Sequence, residues 1–245
     1  MADTSRRRPT RPTRPSWTDP ITDRLTPTIK AFVIANVLVY VFYVFVRNAR
    51  GPMEAHLALG PGFMRGEVWQ AVTSLFVHLD PIGLVFDMIG LWFVGAMIER
   101  LQGRRRLIGL FLVAGILANT TVALLWSLRT FRPPFYGDGC LFPVLAFFMA
   151  WGRIYGRAPA QILGGLYVQA RNGALILVGT SMLISLAQGN WPTVVGSVVA
   201  ALVGYFGAAP GLLKDAWGSL RARRLRRRYR VIEGGNQPPR KPYMN

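Results

Sequence analysis

Along this chain, long apolar blocks alternate with short polar or Gly/Pro-rich stretches. The blocks run Ile29 to Val46, Ile82 to Ile98, Leu107 to Trp126, Gly139 to Trp151, Gly173 to Ala187 and Trp191 to Gly207. A helix needs about 20 apolar residues to cross a bilayer, so this pattern predicts helical spans rather than strands. The fourth block is short and lies among longer ones, which predicts a short central helix surrounded by the others. Arg47 to Glu67 reads as a polar, Gly/Pro-rich loop with some interfacial helix. Trp69 to His78 is amphipathic and ends at Asp80-Pro81, which is placed at the membrane surface. Ser127 to Tyr136 and Gly152 to Arg171 read as loops. The expected fold is therefore all-α, a polytopic six-helix membrane bundle over residues 29–207. A disordered basic tail is expected at residues 1–28, and a second basic tail at 208–245.

Composition supports this layout: 51% of the residues are hydrophobic and only 16% are charged. The net charge of +18 would suit a nucleic-acid binder, but the charges sit in tails and short loops between apolar blocks, which argues against one. Charge placement also orients the chain. With six spans, 24 Lys and Arg fall on the side that holds both termini and five on the other. Cytoplasmic segments carry the excess of basic residues, so both termini are expected in the cytoplasm, in the inner membrane of a bacterium. The seven arginines of Arg221 to Arg230 suit attraction to anionic lipid as well as topology. The single cysteine, Cys140, excludes an internal disulfide.

Chemistry is sparse within the spans. Asp138 stands between two glycines before the fourth block. An intramembrane acid costs about 2.5–3.5 kcal/mol on insertion scales and so faces protein or a water-filled cavity. Gly83 and Asp87 are four apart and share a helix face, which Gly90 continues. In the sixth block Gly196, Ala200 and Gly204 form a small-residue stripe that lets a neighbouring helix approach closely. Cys140 reads as a small buried hydrophobe, and His78 as a side chain bonded to backbone.

Together these segments resemble the rhomboid family of intramembrane serine proteases. The resemblance rests on Gly66-Glu67-Val68-Trp69-Gln70-Ala71-Val72-Thr73-Ser74-Leu75-Phe76-Val77-His78, then Met88 to Gly95, Glu99, Gly103, the short fourth helix and the stripe of the sixth. It implies a nucleophilic Ser at the start of the fourth helix, a His base on the sixth, and a His and an Asn four residues apart on the second to hold the oxyanion. A serine hydroxyl needs such a base to attack, and each oxyanion donor is worth a few kcal/mol.

None of those residues stands in its slot here. Asp138 occupies the serine position, or Gly139 after a one-residue shift. The base slot holds Ser197 or Thr193, depending on register, and the oxyanion slots hold Gly83 and Asp87. The only histidines are His56 and His78, so no later span supplies one. The implied protein is a catalytically inactive relative that binds the transmembrane segments of client proteins. The alternative is an active protease with an unorthodox Asp or Cys centre. Asp87 and Asp138, whose slots face each other across the family's cavity, are read first as a structural pair, then as a binding feature, then as an aspartyl dyad. His78, Asp87, Asp138 and Cys140 could in principle gather a metal, but their spacing matches no recognised ligand pattern, so no cofactor and no metal are expected.

Overall fold

The computed structural model describes residues 25–46, 50–128, 137, 139–162 and 166–208. The expected tails at residues 1–24 and 209–245, and Asp138, lie outside these residues.

The apolar blocks form helices close to where their pattern places them. The first is α1 (Pro27–Phe45), opened by a proline in its first turn, where the missing N–H costs nothing. Only Thr28, Ile29 and Asn36 are buried along it, so most of its surface is left for lipid. A compact segment follows, containing α2 (Arg50–His56), α3 (Pro61–Met64) and α4 (Gln70–Thr73), which runs into a 3-10 turn at Ser74–Phe76.

This segment is more ordered than a loop. Gln70 is fully buried; its amide accepts from the Gly60 N–H at 2.9 Å and donates to the Ala55 carbonyl at 3.0 Å. Thr73 donates to the Leu57 carbonyl at 2.7 Å, and the Trp69 indole to that of His56 at 2.9 Å. Buried polar groups must be paired this way, which is why Gln70 and Thr73 occur in an otherwise apolar stretch. The chain then turns inward at Val77 and His78, both buried, before it emerges at Asp80 and Pro81, which are exposed.

The second span is one long helix, Pro81–Gln102, built from α5 (Pro81–Gly90), a π-helical turn at Leu91–Gly95 and α6 (Ala96–Gln102). Asp80 caps it by accepting from the Gly83 N–H at 2.6 Å, a standard N-cap bond. Near its other end, Glu99 accepts from the hydroxyls of Thr26 and Thr28, tying the start of α1 to α6. Replacing Glu99 with Ala strands both hydroxyls and is expected to cost about 1–3 kcal/mol in a detergent melt.

Gly103, at φ +86°, joins α6 directly to α7 (Arg104–Ser127). A left-handed residue there favours glycine. The central helix is α8 (Leu141–Tyr155), buried over Phe142–Phe147 and Ala150–Gly152 and packed against α5, α7, α9 and α10. The expected loop Gly152–Arg171 instead contains the end of α8, an antiparallel hairpin of β1 (Pro159–Ile162) and β2 (Leu166–Gln169), and the start of α9. Four-residue strands are too short to leave a period-2 pattern against this background.

The last two helices are α9 (Ala170–Ala187) and α10 (Trp191–Gly207). Helices α1, Pro81–Gln102, α7 and α9 are long and apolar enough to cross a membrane; α8 and α10 are shorter apolar helices.

The small-residue stripe of α10 does what its spacing suggests. A Cβ on Gly204 would lie 2.0 Å from the Ala146 carbonyl oxygen of α8, and one on Gly196 would lie 2.7 Å from Val122 of α7 and 2.8 Å from Phe142 of α8. Backbone-to-backbone approach of this kind drives helix association where lipid supplies no hydrophobic force. At the end of α10, the Gln102 amide donates to the Ala208 carbonyl at 2.9 Å and Arg106 to that of Gly207 at 2.8 Å.

Candidate functional site

Three elements converge at the start of α8: the turn that ends in His78, the middle of α5 with Asp87, and the Gly139–Cys140 entry to α8. The Gly139 N–H donates to the Val77 and Ser74 carbonyls, at 2.6 and 3.0 Å, which fixes the entry against the 3-10 turn. That turn is held in its turn by Asn119 of α7, whose amide donates to Ser74 Oγ at 2.9 Å and to the Ala71 carbonyl at 3.2 Å.

Asp87 is the hub. One of its oxygens, Oδ2, accepts both the Cys140 N–H at 2.8 Å and the His78 ring nitrogen Nε2 at 3.1 Å. Asp87, His78 and Cys140 are all buried. A carboxylate can only accept, so the geometry makes Nε2 the donor in this pair. Among the described residues Nδ1 has no partner. The Cys140 amide is one of the unpaired N–H groups at the first turn of α8, so Asp87 acts as that helix's cap, supplied from another helix. Its negative charge also complements the helix dipole.

The site residues named from the sequence fall into place unevenly. Asp87 enters the site, but its partners among the described residues are His78 and the Cys140 amide; Asp138 lies outside them. His78 was read as bonding backbone at an interface; it is buried and pairs with a carboxylate. Cys140, expected as a small buried hydrophobe, is fully buried in the core and also lies beside His78 and Asp87, neither of which is near it in sequence. Gly83 sits in the capping turn, where a Cβ would be 2.7 Å from Asp80 Oδ2. Gly139, the other claimant to the serine slot, has φ +78°, and a Cβ there would be 3.0 Å from both Asp87 Oδ2 and His78 Nε2. Ser197 is fully buried, and its hydroxyl donates to the Thr193 carbonyl at 2.8 Å. Thr193 in turn gives its backbone N–H to the Asn190 cap, at 3.4 Å.

Two kinds of chemistry can be weighed on this geometry. A nucleophilic triad needs an imidazole with the acid on one nitrogen and the nucleophile on the other. Here Nε2 faces the acid and Nδ1 is unpartnered, so the geometry is that of an interlock rather than a triad. For metal binding, His78, Asp87 and Cys140 offer N, O and S ligand atoms within 4.8 Å of one another. That set suits zinc in kind, although Asp87 is already engaged by both neighbours. These three, with Asp138, are the residues the sequence singles out as able in principle to gather a metal, although they come from separate segments and their spacing matches no ligand pattern. The Asn119–Ser74 bond has no such signal in the sequence.

Comparison with known proteins agrees with this architecture. Residues 65–213 match the family model described as the Rhomboid domain. A rhomboid protease named GluP from Bacillus subtilis is 29% identical over 94 residues, covering 37% of this chain and 18% of that protein. The rhomboid proteases named GlpG from Salmonella choleraesuis and Salmonella newport are 22% and 21% identical over 149 residues, covering 60% of this chain and 49% of each relative. This chain thus spans about half or less of the length of these curated relatives. The apolar helices make it an integral membrane protein, and a short helix held at its entry by the second span and the preceding turn lies inside the matched domain: the chain belongs to the rhomboid family.

Proposed function

We propose that this protein is a rhomboid without serine protease chemistry, one that binds transmembrane segments of other membrane proteins instead of cutting them. The observation that carries the reading is the state of the base slot. Whether Ser197 or Thr193 occupies it, no imidazole does: the Ser197 hydroxyl is buried and bonded to the Thr193 carbonyl, and the chain has no histidine beyond His78. Gly139, beside the acid and the imidazole, has no side chain with which to attack.

A binding role is supported by what is kept. Helix α5 presents Ile82, Val85, Phe86 and Ile89 outward, and α5 and α9 both lie against α8. These faces suit an apolar helix arriving from the bilayer. Both termini are taken as cytoplasmic, in a bacterial inner membrane, and the basic tails as contacts for anionic lipid.

One observation favours a second reading, the cysteine-centred protease: the Cys140 thiol stands with His78 and Asp87. Reconstitution with a labelled single-span helical substrate separates the two. We expect the helix to bind, as read by energy transfer, with no cleaved product and no fluorophosphonate labelling. Loss of an intact dyad lowers turnover by a factor on the order of a million. Absence of binding would sink the client role. Cleavage abolished by Cys140→Ser would establish the second reading, and labelling abolished by Ser197→Ala would restore a serine enzyme.

A further inference from the structure

Helices α8, α9 and α10 share an end at which α8 finishes, α9 begins and α10 finishes. A cavity of about 210 Å³ opens there, lined by Met149, Arg153, Arg171, Leu175 and Tyr205. We propose that this cavity binds the phosphate headgroup of an anionic phospholipid.

The first argument is charge. Arg153 and Arg171 both line the cavity, and among the described residues neither pairs with a carboxylate. The sequence shows why: it contains no Asp or Glu anywhere between Gly139 and Lys214. Helices α8, α9 and α10 and the hairpin therefore have no acid of their own to set against these two arginines. Two guanidinium groups suit a phosphate, which they can grip through paired N–H bonds.

The second argument is preorganisation. The Arg153 guanidinium lies over the Tyr205 ring, 4.2 Å from its centroid, which restrains the cation on the cavity wall. Gly152 and Ala174 set the spacing of α8 and α9 at the floor, since a Cβ on Gly152 would lie 2.5 Å from that of Ala174. The third argument selects a lipid over a free ion. Leu175 and Tyr205 are 52% and 41% exposed, and Ile176 and Phe206 beside them are also exposed, so apolar surface runs outward from the arginines. A headgroup in the cavity would leave its acyl chains on that surface. Basic pockets between spanning helices on the cytoplasmic side are where anionic headgroups bind, and the charge distribution puts this end of the helices there.

The test uses the full chain, stripped of lipid in detergent and followed by native mass spectrometry with phosphatidylglycerol, phosphatidylcholine or inorganic phosphate. Phosphatidylglycerol should be retained over phosphatidylcholine, and phosphate should not displace it. Arg153→Gln and Arg171→Gln should each lower that preference about 5-fold. Arg105→Gln, exposed on α7, should leave it unchanged, and Arg153→Lys, which keeps the charge but not the paired N–H bonds, should fall between the parent and Arg153→Gln and report an intact fold. Equal retention of the two lipids, or a preference untouched by both Gln variants, overturns the proposal. Displacement by phosphate overturns it in favour of a simple anion site.

Discussion

A single methyl group at position 204 should be enough to break the pairing of α10 with α8. The Cβ that Gly204→Ala adds would sit 2.0 Å from the Ala146 carbonyl oxygen, with the Ala146 carbonyl carbon and Cα each 2.7 Å away. No rotamer change relieves that contact, because every atom it meets is backbone. The helices must separate, and the cluster that holds Ala200 of α10 with Phe142 of α8 is disturbed with them. Overpacking costs about 1–3 kcal/mol where side chains can shift; with backbone on both sides the expected loss is about 3 kcal/mol or more, in the range reserved for severe core damage. The control is Gly109→Ala on the exposed side of α7, where a Cβ meets nothing within 4 Å. Alanine is the better helix former, so that variant should gain up to about 1 kcal/mol. Thermal unfolding of both in the same detergent decides the matter. Equal melting temperatures would mean that the close approach does not hold the pair together.

The second large effect is expected at Asp87. Asp87→Ala removes the acceptor for a buried helix-terminal N–H and for a buried imidazole at once, and should cost about 2–4 kcal/mol. Asp87→Asn separates geometry from charge. Both hydrogen bonds fall on the single oxygen Oδ2, so an amide oxygen placed there accepts the same two donors. Only the favourable term between carboxylate and helix N-terminus is lost, about 0.3–1 kcal/mol. An Asn variant as unstable as the Ala variant would show that the negative charge, and not the pair of hydrogen bonds, holds α5 to the entry of α8.

Much of the fold was readable because lipid-spanning helices must be long and continuously apolar, a constraint that survives any detail of packing. The apolar blocks and the Gly196–Ala200–Gly204 stripe were visible for that reason. The hairpin at residues 159–169 and the body around Gln70 were not. Neither depends on periodicity; one is too short to show it, and the other is held by polar side chains reaching backbone groups 10 to 16 residues away. The site divides the same way. Counting along helices puts Gly83 and Asp87 on one face of the second span and leaves Ser197 and Thr193 both open for the base slot. The meeting of His78, Asp87 and Cys140 could be named only as a possibility, since it depends on how a turn, a helix and a helix entry close on one another, with separations of nine and 53 residues.

The π-helical turn at Leu91–Gly95 divides its span into two halves that need not keep the same phase. It acts as a one-residue insertion absorbed without breaking the helix. Gly90 before it faces Val144 and Phe148, while Gly95 after it faces Ile29 and Phe147. Removing one residue from Leu91–Gly95 would restore an ordinary helix and rotate one half against the other by about 100°. Either α1 would lose its seat at Gly95, or the carboxylate that caps the central helix would swing away from it. The widened turn thus sets the phase of both halves at once: Gly95 meets Ile29 and Phe147 of two other helices while Asp87 stays aimed at the Cys140 amide.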